Sequence, residues 1–319
     1  MPTLTRRRDQ LTLEQDFPMK IGICGTGRMG SAIAQRLIAK GHDVAVWNRD
    51  AAKTQALVDA GASCAASPAA LVNACDTTIV MLLNDAALQA VYGGNNGLLM
   101  SSLSGKLIID MSTVLPETMI SIGTAVIEAG GQFVECPVSG TVGPARDGKL
   151  FGLVGGDAEA VARAHPLLEQ LCRRIEHVGD LGAGATVKLA VNLPLLVYLQ
   201  ALGESLALCQ SLKLPADRVI DILSDTPGTP PVLKMRAPDI LRLLTNGQAA
   251  AAQFSVAGAK KDLVTAVGYA ATLGVELPVA AGAAAMFADA EAAGFGESDA
   301  ISTIPVHWAL RKSMLSARS

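Results

Sequence analysis

Lys188 and Asn192 stand four residues apart in Gly182-Ala-Gly-Ala-Thr-Val-Lys188-Leu-Ala-Val-Asn192, an otherwise apolar stretch. On a helix this spacing puts both side chains on one face. A lysine there has to snorkel its ammonium to water, pair it, or use it. Partial burial lowers its pKa toward the range where it exchanges a proton near neutrality. The other concentration of chemistry is Gly25-Thr26-Gly27-Arg28-Met29-Gly30, which has the spacing of a dinucleotide fingerprint. Its first glycine permits a tight turn, the second lets backbone approach a pyrophosphate, and the third lets helix pack closely on strand. A bare GxGxxG is weak evidence in a chain with 31 glycines. Here an apolar strand precedes it, an amphipathic helix from Met29 to about Lys40 follows, and a second strand from Asp43 to Trp47 closes a unit of about thirty residues. The helix would aim its free N–H groups and positive dipole end at phosphate.

Cofactor choice is read at the end of that second strand, in Asn48-Arg49-Asp50. Asp or Glu there suits the ribose hydroxyls of NAD, whereas Arg suits the 2′-phosphate of NADP. Asn48 takes the acidic position and Arg49 offers a planar cation, which favours NADP(H) over NAD(H). A purely polar turn capped by Asp50 is the alternative, and it leaves Arg49 without a role. Three more stretches fall where strands end, the place where open α/β sheets bind ligands. They are Leu82-Leu83-Asn84, Asp110-Met-Ser-Thr113 and Cys136-Pro-Val-Ser139-Gly140-Thr141-Val-Gly143. Ser139-Gly140 could hold a carboxylate through a hydroxyl and successive N–H groups, or be an ordinary turn.

Short apolar runs alternate with helix-like segments through the first half, which predicts a doubly wound α/β, Rossmann-type sheet. The expected strands are 20–24, 44–47, 78–82, 106–110, 133–135 and 150–154. Helices are expected over 51–60, 68–74, 85–91 and 116–129, with Asp50, Ser67 and Pro116 as start signals. Beyond about Gly182 the β-type runs stop. Sustained apolar periodicity from Ala185 to Leu212 and an alanine-rich region from Ala249 to Ala293 predict an all-α domain, joined to the first by a long helix that Pro194 kinks or breaks. The boundaries are thus a disordered tail at 1–18, a nucleotide-binding domain at 19–182, and a helical substrate and dimerisation domain at 183–319. So much small apolar helical surface suggests a homodimer or homotetramer.

The chain has 319 residues, 50% of them hydrophobic, enough for a large core and about two domains. With 26 Lys and Arg against 29 Asp and Glu, it has no basic excess for nucleic acid. Six scattered cysteines without a CxxC pair read as buried free thiols in a reducing cytoplasm, and four dispersed histidines give no metal cluster. Residues 1–18 carry Arg6-Arg7-Arg8 but no apolar core of a secretory signal. The longest apolar run, Leu189 to Leu202, is interrupted by Asn192, Pro194 and Gln200 and falls short of the ~20 residues of a bilayer span, so no membrane is expected.

Taken together, GTGRMG near the start, Asp110-Met-Ser-Thr113, Pro137-Val-Ser-Gly140, Gly184-x-x-x-Lys188-x-x-x-Asn192 and Lys260-Lys261-Asp262-Leu263 resemble the β-hydroxyacid dehydrogenases, the 3-hydroxyisobutyrate dehydrogenase group related to 6-phosphogluconate dehydrogenase. The resemblance runs from residue 19 to 310. It implies hydride transfer between NAD(P) and a small hydroxy acid, semialdehyde or oxo acid, in a cleft between the two domains. It further implies Lys188 as general acid/base, Asn192 as a substrate ligand, and Ser139 and Gly140 on the substrate carboxylate. Thr113 would lie beside nicotinamide and substrate, and Lys261 would close on the cofactor side. Thr141 in place of a second glycine, Leu83 in place of proline and Val191 in place of asparagine depart from the group beside the substrate, and leave its identity open. An imine reductase shares this architecture, but usually holds aspartate or tyrosine where Lys188 stands. A nucleotide-binding relative without turnover would be expected to lack the lysine.

Overall fold

A computed structural model describes residues 19–316; the tail and arginine run at 1–18 lie outside the described residues. The chain opens with β1 (Lys20–Cys24), which sends Ile21 and Ile23 into one core and Cys24 into another. A glycine turn leads into α1 (Arg28–Ala39), buried through Gly30, Ile33, Ala34 and Leu37, the spacing of one helical face. Gly25 sits at φ +101°, which only glycine adopts without strain. A Cβ on Gly30 would overlap the Gly25 carbonyl oxygen. Gly30→Ala is therefore expected to push α1 off β1 at a cost of about 1–3 kcal/mol, read as a lower melting temperature that added dinucleotide restores less than in the parent.

Next come β2 (Asp43–Trp47), a tight 3-10 turn at Ala51–Thr54, α2 (Gln55–Asp59) and β3 (Ser63–Cys64). Then follow α3 (Pro68–Ala74), β4 (Thr77–Val80), α4 (Asp85–Gly93), β5 (Leu107–Asp110), α5 (Pro116–Glu128) and β6 (Gln132–Glu135). The sheet part ends with β7 (Val138–Ser139), α6 (Val142–Asp147), β8 (Leu150–Gly155), α7 (Ala158–Leu171) and β9 (Cys172–Gly179). The strand order is β3-β2-β1-β4-β5-β6-β8-β7, with β9 also paired to β8. Pairing is parallel from β3 to β6, so the carboxyl ends of those strands share one edge. β8 runs antiparallel to β6 and β7. The order reverses at β1, and the crevice between β1 and β4 is the ligand position of such sheets.

The six expected strands are all present within about two residues, and Asp50, Ser67 and Pro116 start their helices as expected. In the sheet part, three strands and two α-helices are absent from the expected elements. β3 and β7 have two residues each and show no period. β9 carries Arg173, Arg174, Glu176 and His177 with no alternation, the charged character of an edge strand. α6 is a single short turn, and α7 contains Pro166.

From Ala183 on, regular structure among the described residues is helical apart from one isolated bridge, Ser255 to Asp299. It comprises α8 (Ala183–Cys209), α9 (Ala216–Ser224), α10 (Pro231–Asn246), α11 (Val256–Thr272), α12 (Pro278–Ala290) and α13 (Ala300–Ser316). Of the kink or break expected at Pro194, the break does not occur: α8 runs unbroken through it. Pro194 and Ala190, whose carbonyl the ring displaces, both face solvent, so the lost hydrogen bond is exchanged for water. At 27 residues α8 is longer than its apolar run, and its length and composition would suffice to cross a membrane. Here it packs on β8 and β9 at its start and on α11, α12 and α13 beyond, with 39% of its most apolar window buried. Leu196 and Leu199 meet Ala259, Ala283 and Phe287 in its core, where the alanines allow close approach.

Candidate active site

The fingerprint turn is braced from its own side of the sheet. Gly25 N–H donates to the Trp47 carbonyl at 2.8 Å, Thr26 N–H to Asn48 Oδ1 at 3.2 Å, and the Thr26 hydroxyl to the Lys53 carbonyl at 3.0 Å. Asn48 in turn donates through Nδ2 to the Asp50 carbonyl at 2.9 Å. Asn48 thus positions the turn, a role that its place at the strand end did not reveal. Arg49 beside it is exposed and has no hydrogen-bond or ionic partner among the described residues. Gly27 is the N-cap of α1 and brings no capping side chain, and a Cβ there would meet only open space. The first N–H groups of α1 are therefore free for an anion, and the cradle fits a dinucleotide pyrophosphate. Met29 packs on the sheet core, whereas Arg28 turns away to Glu297 at 3.0 Å on the helical side.

Two further strand ends are tied together below this cradle. Asp110 is fully buried and accepts from Ser112 N–H and from the Tyr92 hydroxyl, each at 2.9 Å. Burial pushes its carboxyl up to about 6, against the pull of those hydrogen bonds. Ser112 Oγ accepts from Leu82 N–H at 2.9 Å, so the Leu82 and Thr113 segments are held in one arrangement. Leu83 projects into solvent, 63% exposed.

Lys188 is 6% exposed on α8, and its Nζ donates to Asn192 Oδ1 at 2.7 Å. That bond orients the amide so that Nδ2 donates to Asp262 Oδ2 on α11, also at 2.7 Å. The other Asp262 oxygen pairs with Lys261, whose Nζ donates to the Thr113 carbonyl. Lys188, Asn192, Asp262, Lys261 and Thr113 thus form one polar chain from α8 through α11 to the loop after β5. Burial lowers the Lys188 pKa to about 8, Asp262 pulling it up and Lys261 pushing it further down. An amine in this state can give or take a proton near neutrality.

Ser139 ends β7 and Gly140 follows at φ +132°, where a side chain would press on Leu150. No hydrogen bond among the described residues joins either of them to Lys188. Thr141 leaves its own helix uncapped and donates its hydroxyl to Gln253 Oε1 at 2.9 Å, reaching the segment before α11. The residue departing from the group's pattern thereby contacts the helical part. Gln253 carried no signal in the sequence. Asp262 stood in a recognised motif, but nothing local marked it as the partner of Asn192.

Comparison with known proteins adds to this geometry. Residues 20–179 match the family model described as the NAD binding domain of 6-phosphogluconate dehydrogenase, and residues 182–307 match that described as NAD-binding of NADP-dependent 3-hydroxyisobutyrate dehydrogenase. The chain is 36% identical over 281 residues to glyoxylate/succinic semialdehyde reductase 1 of Arabidopsis thaliana, spanning 88% of this chain and 96% of that relative. It is similar to the crystal structure of a 3-hydroxyisobutyrate dehydrogenase from Salmonella typhimurium, with a TM-score of 0.80 and 25% identity over 90% of this chain and 99% of the other. It is also similar to Psf3 in complex with NADP+ and 2-OPP, with a TM-score of 0.79 and 28% identity over 92% and 99%.

Proposed function

The chain belongs to the β-hydroxyacid dehydrogenase family and is an NAD(P)-dependent oxidoreductase, and from that premise we propose that it reduces a small oxo acid or semialdehyde with NADPH, with Lys188 as the proton donor. The observation that carries this reading is the buried Lys188, tuned to about 8 and aligned by Asn192 and Asp262. Bound nicotinamide supplies the hydride, or accepts it in the reverse direction. Lys188 as ammonium gives its proton to the forming alkoxide oxygen in reduction, and the neutral amine takes it back in oxidation. Asn192 holds Nζ in place, and Asp262 keeps the Asn192 amide from flipping. The lowered pKa keeps both forms of the lysine accessible near neutral pH.

Ser139 and Gly140 are assigned to the substrate carboxylate, Thr113 and Lys261 to the nicotinamide side of the cleft, and Gly25 to Gly30 with Arg49 to the rest of the cofactor. Neither the Ser139-Gly140 loop nor the Lys188 to Asn192 segment contains an arginine, which disfavours a phosphorylated sugar acid and favours a compact carboxylate of about two to four carbons. Glyoxylate and succinic semialdehyde, named for the Arabidopsis relative, and 3-hydroxyisobutyrate, named for the Salmonella one, are the first compounds to assay. Leu208, Met235 and Val279 are each more than half exposed on the helical part, and a homodimer or larger assembly would cover such surface.

Steady-state assays with NADPH and this panel test the reading. Because the carboxylate supplies the anchoring, the uncharged methyl ester or amide of the best substrate is expected to lose most of its kcat/KM. Faster turnover of neutral aldehydes or cyclic imines than of every carboxylate would replace this reading with an imine reductase.

A further inference from the structure

Glu135 ends β6 with no exposed surface, yet its carboxylate belongs to another element. Its Oε1 accepts from Gly184 N–H at 2.7 Å and its Oε2 from Ala185 N–H at 3.3 Å, both in the first turn of α8. The helix has no cap of its own, because its N-cap, Gly182, lies in the left-handed region at φ +93° and has no side chain. Space for the carboxylate is cleared by glycines. A Cβ on Gly155 would overlap Glu135 Oε1, and one on Gly184 would press on Leu153 O and Glu135 together. Burial pushes the Glu135 carboxyl up to about 7, with the Gly184, Ala185 and Gly182 N–H groups pulling down and Asp110, its register partner on β5, adding to the rise. A serine or aspartate could not cap from position 182, where the left-handed backbone strains any side chain and a Cβ would press on Ile120, so the free N–H groups are met from the sheet, which ties the helix to β6. Glu135 therefore does something that a local cap would not.

What it joins gives the reason. Lys188 lies one helical turn beyond Gly184, and Cys136 to Ser139 follows Glu135 directly in the chain. We propose that Glu135 is a positioning residue for proton transfer, fixing the first turn of α8 against the end of β6 so that Lys188 and the Ser139 loop keep one mutual placement. It acts through α8 and does not touch the reacting atoms. This inference rests on the reading of Lys188 as the proton donor.

The test is Glu135→Gln, which keeps the volume but sets an NH2 group against one of the two N–H donors, with Glu135→Asp as the partner variant that keeps the charge and loses reach. In Glu135→Gln, kcat with the best oxo acid is expected to fall ~10–100-fold, the scale of a misplaced catalytic group, while KM and NADPH affinity stay close to the parent and the melting temperature falls with the lost cap. Glu135→Asp should fall in between, and it serves alone if the glutamine variant does not fold. Two readouts need no substrate. Hydrogen exchange at amides 184–188 should quicken, and the Lys188 titration, followed by NMR of lysine-labelled protein and assigned by its loss in Lys188→Met, should leave its parental midpoint. A Glu135→Gln enzyme with parental kcat, or with unchanged exchange and an unchanged Lys188 midpoint, overturns the proposal. Lack of turnover by the parent on every carboxylate would instead sink the functional reading, with the exchange and titration still deciding the tie.

Discussion

Replacing Lys188 by methionine is expected to lower turnover ~100-fold or more, from the lower end of the range for a lost general acid upward, with NADPH affinity intact. Methionine keeps the apolar stem and fills similar volume, so the change isolates the proton. In the parent, reduction should slow as pH rises through about 8, where the ammonium is lost, and oxidation should quicken through the same point. Lys188→Met should show neither limb at that position. Folding is not at risk, and the sign follows from the shift. The folded-state pKa lies below the ordinary 10.5, so burying Lys188 favours the folded state fully only above that value, and this contribution is lost as pH falls through about 8. Near pH 7 the buried ammonium is a standing cost that methionine removes, offset by the lost bond to Asn192. A melting temperature near that of the parent is expected, and kinetics beside a thermal melt check both parts. Turnover within a few-fold of the parent would show that the proton comes from another group.

Which features were legible follows from how local their causes are. β1, the glycine turn and α1 are legible because strand burial, turn chemistry and helical period agree within the twenty residues from Lys20 to Ala39. The Lys188 and Asn192 pairing was visible for the same reason, since i and i+4 on a helix is a local geometry. The completion of that pair was not, because Asp262 comes from α11, seventy residues on, and only the packing of α8 against α11 brings it to Asn192. Glu135 reads in the sequence only as the last residue of a strand, because its partners are backbone N–H groups of a distant helix and leave no side-chain pattern. Asn48 was noticed for its position, but whether it faces a ribose or braces Thr26 depends on the path of the turn. β9 failed for another reason. Its charged residues suit a sheet edge, and such a strand does not advertise itself by alternation.

The largest effect on cofactor choice is expected at Arg49. The neighbouring groups that could serve a ribose hydroxyl are engaged: Asn48 holds Thr26 N–H and the Asp50 carbonyl, and Asp50 Oδ1 accepts from Ala52 N–H at 3.2 Å. Position 48, where NAD would want a carboxylate, holds an amide, and an exposed, unpaired guanidinium stands one residue further on. A charge-assisted hydrogen bond from it to a 2′-phosphate is worth roughly 1.5–3 kcal/mol, about 10- to 150-fold in affinity. The parent should therefore bind NADPH well over tenfold more tightly than NADH. Arg49→Ala should remove most of that difference while leaving NADH binding nearly unchanged, because NADH has no group for the guanidinium to meet. Arg49→Lys should keep part of the preference, since a point charge remains after the planar fork is lost. The contact is exposed, so the preference should shrink as salt is raised. Fluorescence titrations of both nucleotides at two ionic strengths measure all of this, and equal affinity of the parent for NADPH and NADH would overturn the assignment of Arg49.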